Sequence, residues 1–278
     1  MRNPTAAGAV SELAELVLPW LPPPDLAAAA SASRAMRAAA SAVTAARAAD
    51  SARGLEAFPA PFVNPIDSQP YSYFIYTPFS LIPSAASFNA QPWGCAWSRT
   101  PGPTWPRPDL GLPLAGCSCA RGECGGAGCA CADAEAEAIH RGQFVCEYAG
   151  EFLTTEEARR RHRLYDELAS VGKLSPALLV IREHLPSGRV CMRVNIDATK
   201  VGNVARFINH SCDGGNLRPI LVRSSGSLLP RLCLFAARDI VDGEELAFSY
   251  GDAKPNPKGL PCFCESSCCP GVLPAEET

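Results

Sequence analysis

The chain has 278 residues, of which 19% are charged, and its formal net charge is −3. That length allows one or two domains with a substantial hydrophobic core. The weak negative charge excludes a sequence-wide basic surface for nucleic acid. It suits a basic peptide substrate, although ordinary solubility explains it equally well. No apolar run reaches the length of a membrane span.

The first 53 residues are rich in alanine and predict two helices. Apolar side chains recur at helical spacing at Leu13, Leu16, Val17 and Trp20. The prolines at 22–24 end this pattern. Asp25 can cap a second helix that extends to about Ala49.

Residues 15–26 look like the start of an F-box, a helical module that docks on ubiquitin-ligase adaptors. A plain helical hairpin that packs on the next domain is the simpler alternative. A third interpretation is an organelle transit peptide, because residues 26–49 lack acidic side chains and carry three arginines. Glu12, Glu15 and Asp25 argue against that interpretation.

Residues 56–116 are rich in proline, which argues against regular structure. The same segment carries several aromatic side chains, which argue against free disorder because they would bury well against a domain. We expect a linker with an ordered strand near residues 71–76.

Fourteen cysteines occur in the chain, and many of them form Cys-x-Cys units. Two sulfurs one residue apart suit a metal better than a disulfide framework, and no secretory signal precedes them. The pattern therefore predicts a reducing, intracellular compartment. The first block consists of Cys117, Cys119, Cys124, Cys129 and Cys131. Its glycine-rich spacers cannot form an apolar core, so sulfur–metal bonds are expected to organise it.

From Ile139 onward the pattern predicts short strands around one helix. Strands are expected at residues 144–148, 177–182, 190–196, 232–236 and 245–248, with a Pro-Ser-Gly turn at residues 186–188 between the second and the third. Thr154 and Glu157 form a capping box that opens a helix to about residue 169. Ala158, Leu164 and Leu168 are expected to face the core. This pattern indicates a β-rich α+β domain.

Three motifs follow one another in the C-terminal half. Residues 206–212 read Arg-Phe-Ile-Asn-His-Ser-Cys, and residues 244–252 read Glu-Glu-Leu-Ala-Phe-Ser-Tyr-Gly-Asp. Cys262, Cys264 and Cys269 complete the trio. In this order the motifs resemble those of SET-domain protein lysine methyltransferases, and closely those of the plant suppressor-of-variegation-related class.

The resemblance implies an α+β fold: a SET domain of short strands with a knot-like C-terminal segment, preceded by a small helical module. It also implies transfer of methyl groups from S-adenosylmethionine to a lysine of the histone H3 tail. The expected setting is repressive chromatin in the nucleus, without direct sequence-specific nucleic-acid binding and without a membrane.

The resemblance assigns a role to each motif residue. The residues assigned to cofactor binding are Arg206, Phe207, Asn209 and His210. Catalysis falls to Tyr250, and Tyr148 either lines the same channel or packs in the core. Phe248 sets the channel width, and phenylalanine there favours di- or trimethylation. Val194 stands where many members carry an aromatic residue of the lysine cage, three residues before a matching Asp197.

The resemblance also implies zinc. A post-SET ion is bound by Cys262, Cys264 and Cys269, with Cys212 as the fourth ligand. Cys268 is an alternative third ligand because it adjoins Cys269, and four metal-free thiols are the remaining alternative. The five sulfurs of the first block match only part of the family's pre-SET cluster, and they can saturate one zinc.

Members of the family carry a further segment between the positions that match residues 138 and 139. It contains a second cysteine block and the first SET strands with a Gly-Trp-Gly-like cofactor turn. We expect this chain to lack that segment. A splice form and a gene-model error both explain the absence of this segment.

The expected organisation is a helical F-box-like module (1–55), a linker (56–116), a truncated pre-SET region (117–138), a SET domain (139–252) and a post-SET zinc tail (253–278). An active methyltransferase, a catalytically impaired adaptor or binding protein, and a zinc-stabilised structural protein remain the functional hypotheses.

Overall fold

A computed structural model describes residues 14–56, 58–82, 138–170, 175–184, 191–223, 229–251 and 260–274. The chain divides into two compact units, Met1–Tyr76 and Thr77–Thr278. The first cysteine block at residues 117–131 and the predicted turn at 186–188 lie outside the described residues. Among the helices of the described part, none is long and apolar enough to cross a bilayer.

Over residues 25–49, where the sequence predicted a single second helix, the first unit contains two consecutive helices. After a 3-10 turn (Leu18–Trp20) come α1 (Pro23–Ala32) and α2 (Arg34–Ala49). The break falls at Ser33, whose extended backbone (φ −162°, ψ 167°) lets its side chain accept a hydrogen bond from Met36 N. The prediction that Asp25 caps the helix is also wrong. Proline occupies the first helical position, and Asp25 lies inside the first turn.

Arg47 joins the parts of this unit. Its side chain is 6% exposed, and its guanidinium donates to the carbonyl oxygens of Pro19 and Leu21 at 3.0 and 2.7 Å. It also donates to the Tyr71 hydroxyl at 2.8 Å. The ring of Tyr73 lies 5.0 Å from the same guanidinium. The predicted strand near residues 71–76 is confirmed as the short β1 (Ile75–Tyr76).

The described part of the second unit contains one α-helix, α3 (Thr155–Ser170), one 3-10 turn (Val204–Phe207) and ten strands. The strands are β2 (Ala138–Ile139), β3 (Phe144–Glu147), β4 (Gly150–Leu153), β5 (Leu178–His184), β6 (Cys191–Gly202), β7 (Asn209–His210), β8 (Leu217–Val222), β9 (Arg231–Ala236), β10 (Ile240–Val241) and β11 (Ala247–Phe248). The predicted β-rich α+β fold is confirmed.

Four groups of paired strands organise this unit. Strand β6 pairs antiparallel with both β4 and β5, and β9 pairs antiparallel with both β3 and β8. Strand β2 pairs with β10, and β7 pairs in parallel with β11. The sequence analysis did not predict β8, because Pro219 interrupts its pattern. The structure accommodates this proline because β8 is the last strand of its sheet.

The start of α3 was predicted correctly, and its buried face was predicted in part: Ala158 is buried and Leu168 half-buried, but Leu164 is exposed. Thr154 Oγ1 accepts a hydrogen bond from Glu157 N at 3.1 Å. Ala158 is fully buried, whereas Leu164 is 41% exposed and Tyr165, its neighbour, is 2% exposed. Tyr165 lies seven residues after Ala158 and so shares its face of the helix. Its hydroxyl donates to Asp197 at 2.8 Å, so the polar partner favours this side chain at the core.

A buried ion network attaches α3 to the sheet. The Asp197 side chain is fully buried, and Arg161 Nη1 lies 2.6 Å from its Oδ2 atom. The same nitrogen lies 2.6 Å from Glu151 Oε2 on β4. Arg161 Nε also binds Glu157 at 2.8 Å. One guanidinium therefore binds carboxylates of the helix and of two strands.

We expect Arg161→Met to lower the free energy of unfolding by about 3–5 kcal/mol, because it leaves the buried Asp197 carboxylate without its cation. Urea denaturation followed by circular dichroism measures the loss. Arg160→Gln is the matched control. Arg160 is exposed and pairs only with Glu157 among the described residues, so its substitution should leave the free energy of unfolding nearly unchanged. Equal losses in both variants would show that the buried network contributes little.

Candidate functional site

The candidate site forms where two distant segments of the second unit cross. The parallel pairing of β7 and β11 places Asn209 opposite Ala247, and His210 opposite Phe248. Ser211 N continues this contact by donating to Phe248 O at 3.1 Å. The turn that follows needs glycine at position 215, where φ is +67° and a Cβ atom would lie 2.3 Å from the carbonyl oxygen of Ala247.

His210 lies at the centre of this crossing. Tyr250 N donates to its Nδ1 atom at 3.1 Å, so in the neutral ring the proton resides on Nε2. That Nε2–H group points to the sulfur of Cys212 at 3.2 Å. Burial lowers the pKa of His210, which favours the neutral ring. The imidazole therefore links Tyr250 to a cysteine of the metal-binding motif.

The ring of Tyr250 packs at a tilt against that of His210, and its hydroxyl is directed inward. The two ring centroids are 5.2 Å apart, and the hydroxyl donates to Ile208 O at 2.6 Å. Burial raises the pKa of Tyr250 to about 12. The hydroxyl therefore stays protonated at neutral pH and cannot act as a base. Because its proton is engaged by Ile208, its oxygen lone pairs can accept a hydrogen bond.

The predicted channel residues pack in the same apolar cluster as Tyr250. The ring of Phe248, 1% exposed, lies 5.1 Å from that of Tyr250 and 6.3 Å from that of Tyr148. The Tyr148 hydroxyl donates to Ala177 O at 3.0 Å, and burial raises the pKa of Tyr148. Val194 is 1% exposed and belongs to the cluster.

The four predicted cofactor residues have different surroundings. Asn209 is exposed, and its amide nitrogen donates to Glu245 Oε1 at 2.6 Å. Phe207 is 42% exposed, with the Arg206 guanidinium 4.8 Å from its ring centroid. Arg206 also donates to carbonyl oxygens of β6 at 2.9 and 3.2 Å. Its observed contacts therefore fix the local backbone, while Phe207 and Asn209 offer an aromatic and a polar surface.

The sulfurs of Cys212, Cys262, Cys264 and Cys269 lie within 4.8 Å of one another. The Cys212 and Cys262 sulfurs are 3.9 Å apart, and a tetrahedral zinc with Zn–S bonds of about 2.3 Å requires roughly 3.8 Å. The four residues thus fit a zinc ion. Cys268 is exposed and does not belong to the group.

The ionisation of these thiols is also uneven. The Ser266 hydroxyl, 3.2 Å from the Cys264 sulfur, contributes most to lowering the pKa of Cys264 to about 5. Burial and the neighbouring thiols instead raise the pKa of Cys212. Four thiolates this close repel one another, so a cation is needed for all four to ionise together.

The sequence analysis missed a buried residue that positions the strand leading to Tyr250. Asn216 is 3% exposed. Its Oδ1 accepts from Ala247 N at 2.9 Å, and its Nδ2 donates to Glu245 O at 2.8 Å. A single polar residue after two glycines carries no periodic signal, so only the tertiary contact identifies it.

A family model described as the SET domain matches residues 136–251. Over 98% of its length the chain is 44% identical to histone-lysine N-methyltransferase SUVR3 of Arabidopsis thaliana, and it covers 94% of that protein. The alignment extends over 331 positions, more than this chain's 278 residues, so the relative has segments without a counterpart here.

Other similarities cover about half of the chain. Histone-lysine N-methyltransferase SETMAR of Mus musculus is 39% identical over 51% of this chain and 48% of its own. The crystal structure of the methyltransferase domain of human SETMAR matches with a TM-score of 0.41 and 38% identity, covering 50% of this chain and 51% of that one. Arabidopsis thaliana SUVH6 in complex with SAM matches with a TM-score of 0.39 and 31% identity, covering 52% and 29%.

We expect Cys264→Ser to reduce the zinc content of the purified chain by about one ion, because three sulfurs leave tetrahedral zinc one ligand short. Mass-spectrometric metal analysis measures the stoichiometry. Cys268→Ser is the matched control and should leave the zinc content unchanged, since Cys268 lies outside the group. Loss of zinc in the Cys268 variant would instead make that residue a ligand.

Proposed function

Because the chain belongs to the family of SET-domain histone-lysine N-methyltransferases, we propose that it methylates a lysine of the histone H3 tail in repressive chromatin of the nucleus. The observation that carries the proposal is the setting of Tyr250. Its hydroxyl oxygen is fixed by Ile208 and lies beside the aromatic rings that the family motifs assign to a lysine channel.

The chain's own residues account for the handling of the lysine. The amine must be neutral to attack, and desolvation among Tyr148, Phe248 and Tyr250 lowers the pKa of a lysine that enters there. The Tyr250 oxygen can accept a hydrogen bond from an amine N–H group and so orient the nitrogen lone pair. No residue has to act as a strong base, which agrees with the protonated state of Tyr250 at neutral pH.

S-adenosylmethionine, when bound, supplies a methyl group on a positively charged sulfur. The exposed Asn209 amide fits the polar amino-acid end of this molecule, and the exposed Phe207 ring fits a purine by stacking. His210 accepts a hydrogen bond from the Tyr250 backbone. This contact keeps the segment with Phe207 and Asn209 next to Tyr250. Asn209, His210 and Phe207 are therefore the residues proposed to hold it, and Arg206 fixes the backbone beneath them.

The post-SET thiols are proposed to bind one zinc ion that attaches the tail to the crossing of β7 and β11. Cys212 belongs to the segment that begins with Asn209, whereas the other three ligands come from the tail. A bound ion would therefore hold the tail next to the cofactor residues. The first cysteine block, residues 117–131, is proposed to bind a separate zinc ion.

A catalytically impaired adaptor or binding protein is the second candidate function. The direct join between residues 138 and 139, together with the 331-position alignment, favours it because the family's first SET strands and cofactor turn are missing. The exposed Leu16, Val17 and Trp20 of the first unit offer a surface for a ubiquitin-ligase adaptor. Titration calorimetry with S-adenosylmethionine discriminates, since saturable binding supports the enzyme and its absence supports the adaptor.

We expect Tyr250→Phe to reduce kcat by about 10- to 100-fold, because the amine loses the hydrogen bond that orients it. Methyl transfer from radiolabelled cofactor to a histone H3 peptide measures the rate. Tyr71→Phe makes the same chemical change in the first unit and should leave the rate unaltered. A Tyr250→Phe variant with the unsubstituted rate would exclude this role for the hydroxyl.

Phe248→Tyr should shift the product from di- and trimethyl-lysine toward monomethyl-lysine, because an added hydroxyl narrows the space beside Tyr250. Mass spectrometry of the peptide product measures the distribution. Phe235→Tyr adds a hydroxyl to a ring that packs on Phe144 instead, so its products should match those of the unsubstituted chain. Only monomethyl product from the unsubstituted chain would refute the proposed di- or trimethylation.

A further inference from the structure

The Asn209 side chain has a defined partner that the family motifs do not assign to it. Its Nδ2 atom donates to Glu245 Oε1 at 2.6 Å. Both side chains are exposed, so the hydrogen bond exists in contact with solvent. It joins a residue proposed to hold the cofactor to an acidic residue 36 positions later in the chain.

The backbone under both partners is fixed. Asn209 belongs to β7 and pairs with Ala247 of β11. Just ahead of β11, the carbonyl oxygen of Glu245 accepts from Asn216 Nδ2 at 2.8 Å. Asn216 is itself buried. The two side chains therefore extend from anchored positions, and they lose less conformational freedom on pairing than two side chains on mobile loops would lose.

The chemistry of the pair determines which way the amide of Asn209 points. A side-chain amide has one donating and one accepting end, whereas an ionised carboxylate only accepts. Glu245 therefore selects the rotamer in which Nδ2 faces the carboxylate. The Oδ1 atom must then point away from Glu245, and it is available to accept from another donor.

We propose that Glu245 is a positioning residue that holds Asn209 with its Oδ1 atom directed to the α-ammonium group of the cofactor. This inference rests on the proposed function, because the ammonium belongs to the proposed cofactor. S-adenosylhomocysteine, the product of methyl transfer, carries the same ammonium but no charge on sulfur. Orientation of Asn209 therefore predicts equal effects on both ligands.

A double-mutant cycle with Glu245→Ala and Asn209→Ala tests the inference. We expect Glu245→Ala to weaken binding of S-adenosylmethionine and of S-adenosylhomocysteine about fivefold each, as for the loss of one oriented hydrogen bond. In the Asn209→Ala background the same change should have no effect, because the amide is already absent. Titration calorimetry with each ligand gives the dissociation constants, and the KM for the histone peptide should stay unchanged.

Asp242→Asn is the matched control, because Asp242 is an exposed acid on the same connection to β11. It should leave both dissociation constants unchanged. A loss confined to S-adenosylmethionine would overturn the inference, because it would indicate attraction of the positive sulfur by the Glu245 charge. An undiminished effect of Glu245→Ala in the Asn209→Ala background would overturn it as well.

A second measurement needs no ligand. The side-chain amide protons of Asn209 should shift upfield in the nuclear magnetic resonance spectrum of Glu245→Gln and stay in place in Asp242→Asn. Unshifted Asn209 resonances in Glu245→Gln would show that the contact does not orient the amide. If these resonances shift but the unsubstituted chain binds neither ligand, the contact is real and the proposed function fails. If the unsubstituted chain binds both and Glu245→Ala binds equally well, only the positioning role of Glu245 fails.

Discussion

The two hydrogen bonds of the His210 imidazole are the constraint on which the candidate site depends. One ring nitrogen accepts from the Tyr250 backbone, and the other faces the Cys212 sulfur. A single buried ring thus fixes the distance between the catalytic candidate and the thiol cluster. Because Nδ1 is committed as an acceptor, the ring can serve both partners only in its neutral form, and burial favours that form by lowering the pKa.

At this crossing, side-chain hydrogen bonds stabilise the pairing of two very short strands. Strands β7 and β11 contribute only two residues each, too few to be stable by their own ladder. Side chains complete the pairing. Asn216 supplies an acceptor to Ala247 N and a donor to Glu245 O, as a neighbouring strand would do. Deeper in the unit, Arg161 pairs with carboxylates of α3, β4 and β6. These directional polar contacts fix the position of the helix relative to the two strands, which non-directional apolar packing alone does not do.

Features that the sequence revealed are local or depend on spacing. The Thr154 cap and the pairing of β5 with β6 follow from neighbouring residues. The meeting of Cys212 with the tail was expected because the motifs resembled a family. The break at Ser33 is local and was overlooked, but two other errors have different causes. Leu164 and Tyr165 are adjacent, and either could face the core. Tyr165 is the buried one because its hydroxyl donates to Asp197, 32 positions away. Likewise, a two-residue parallel strand contains too little pattern to be recognised.

The contacts that build the crossing all lie after residue 138. Ala138 and Ile139 pair with Val241 and Ile240 of β10, so this part of the chain enters a sheet at its first described residues. The histidine link, the thiol cluster and the aromatic rings are all formed by residues after position 138. Binding a cofactor is a separate demand, because a ligand must be enclosed on several sides to be held. The contacts that fix the crossing are therefore distinct from the enclosure that cofactor binding requires.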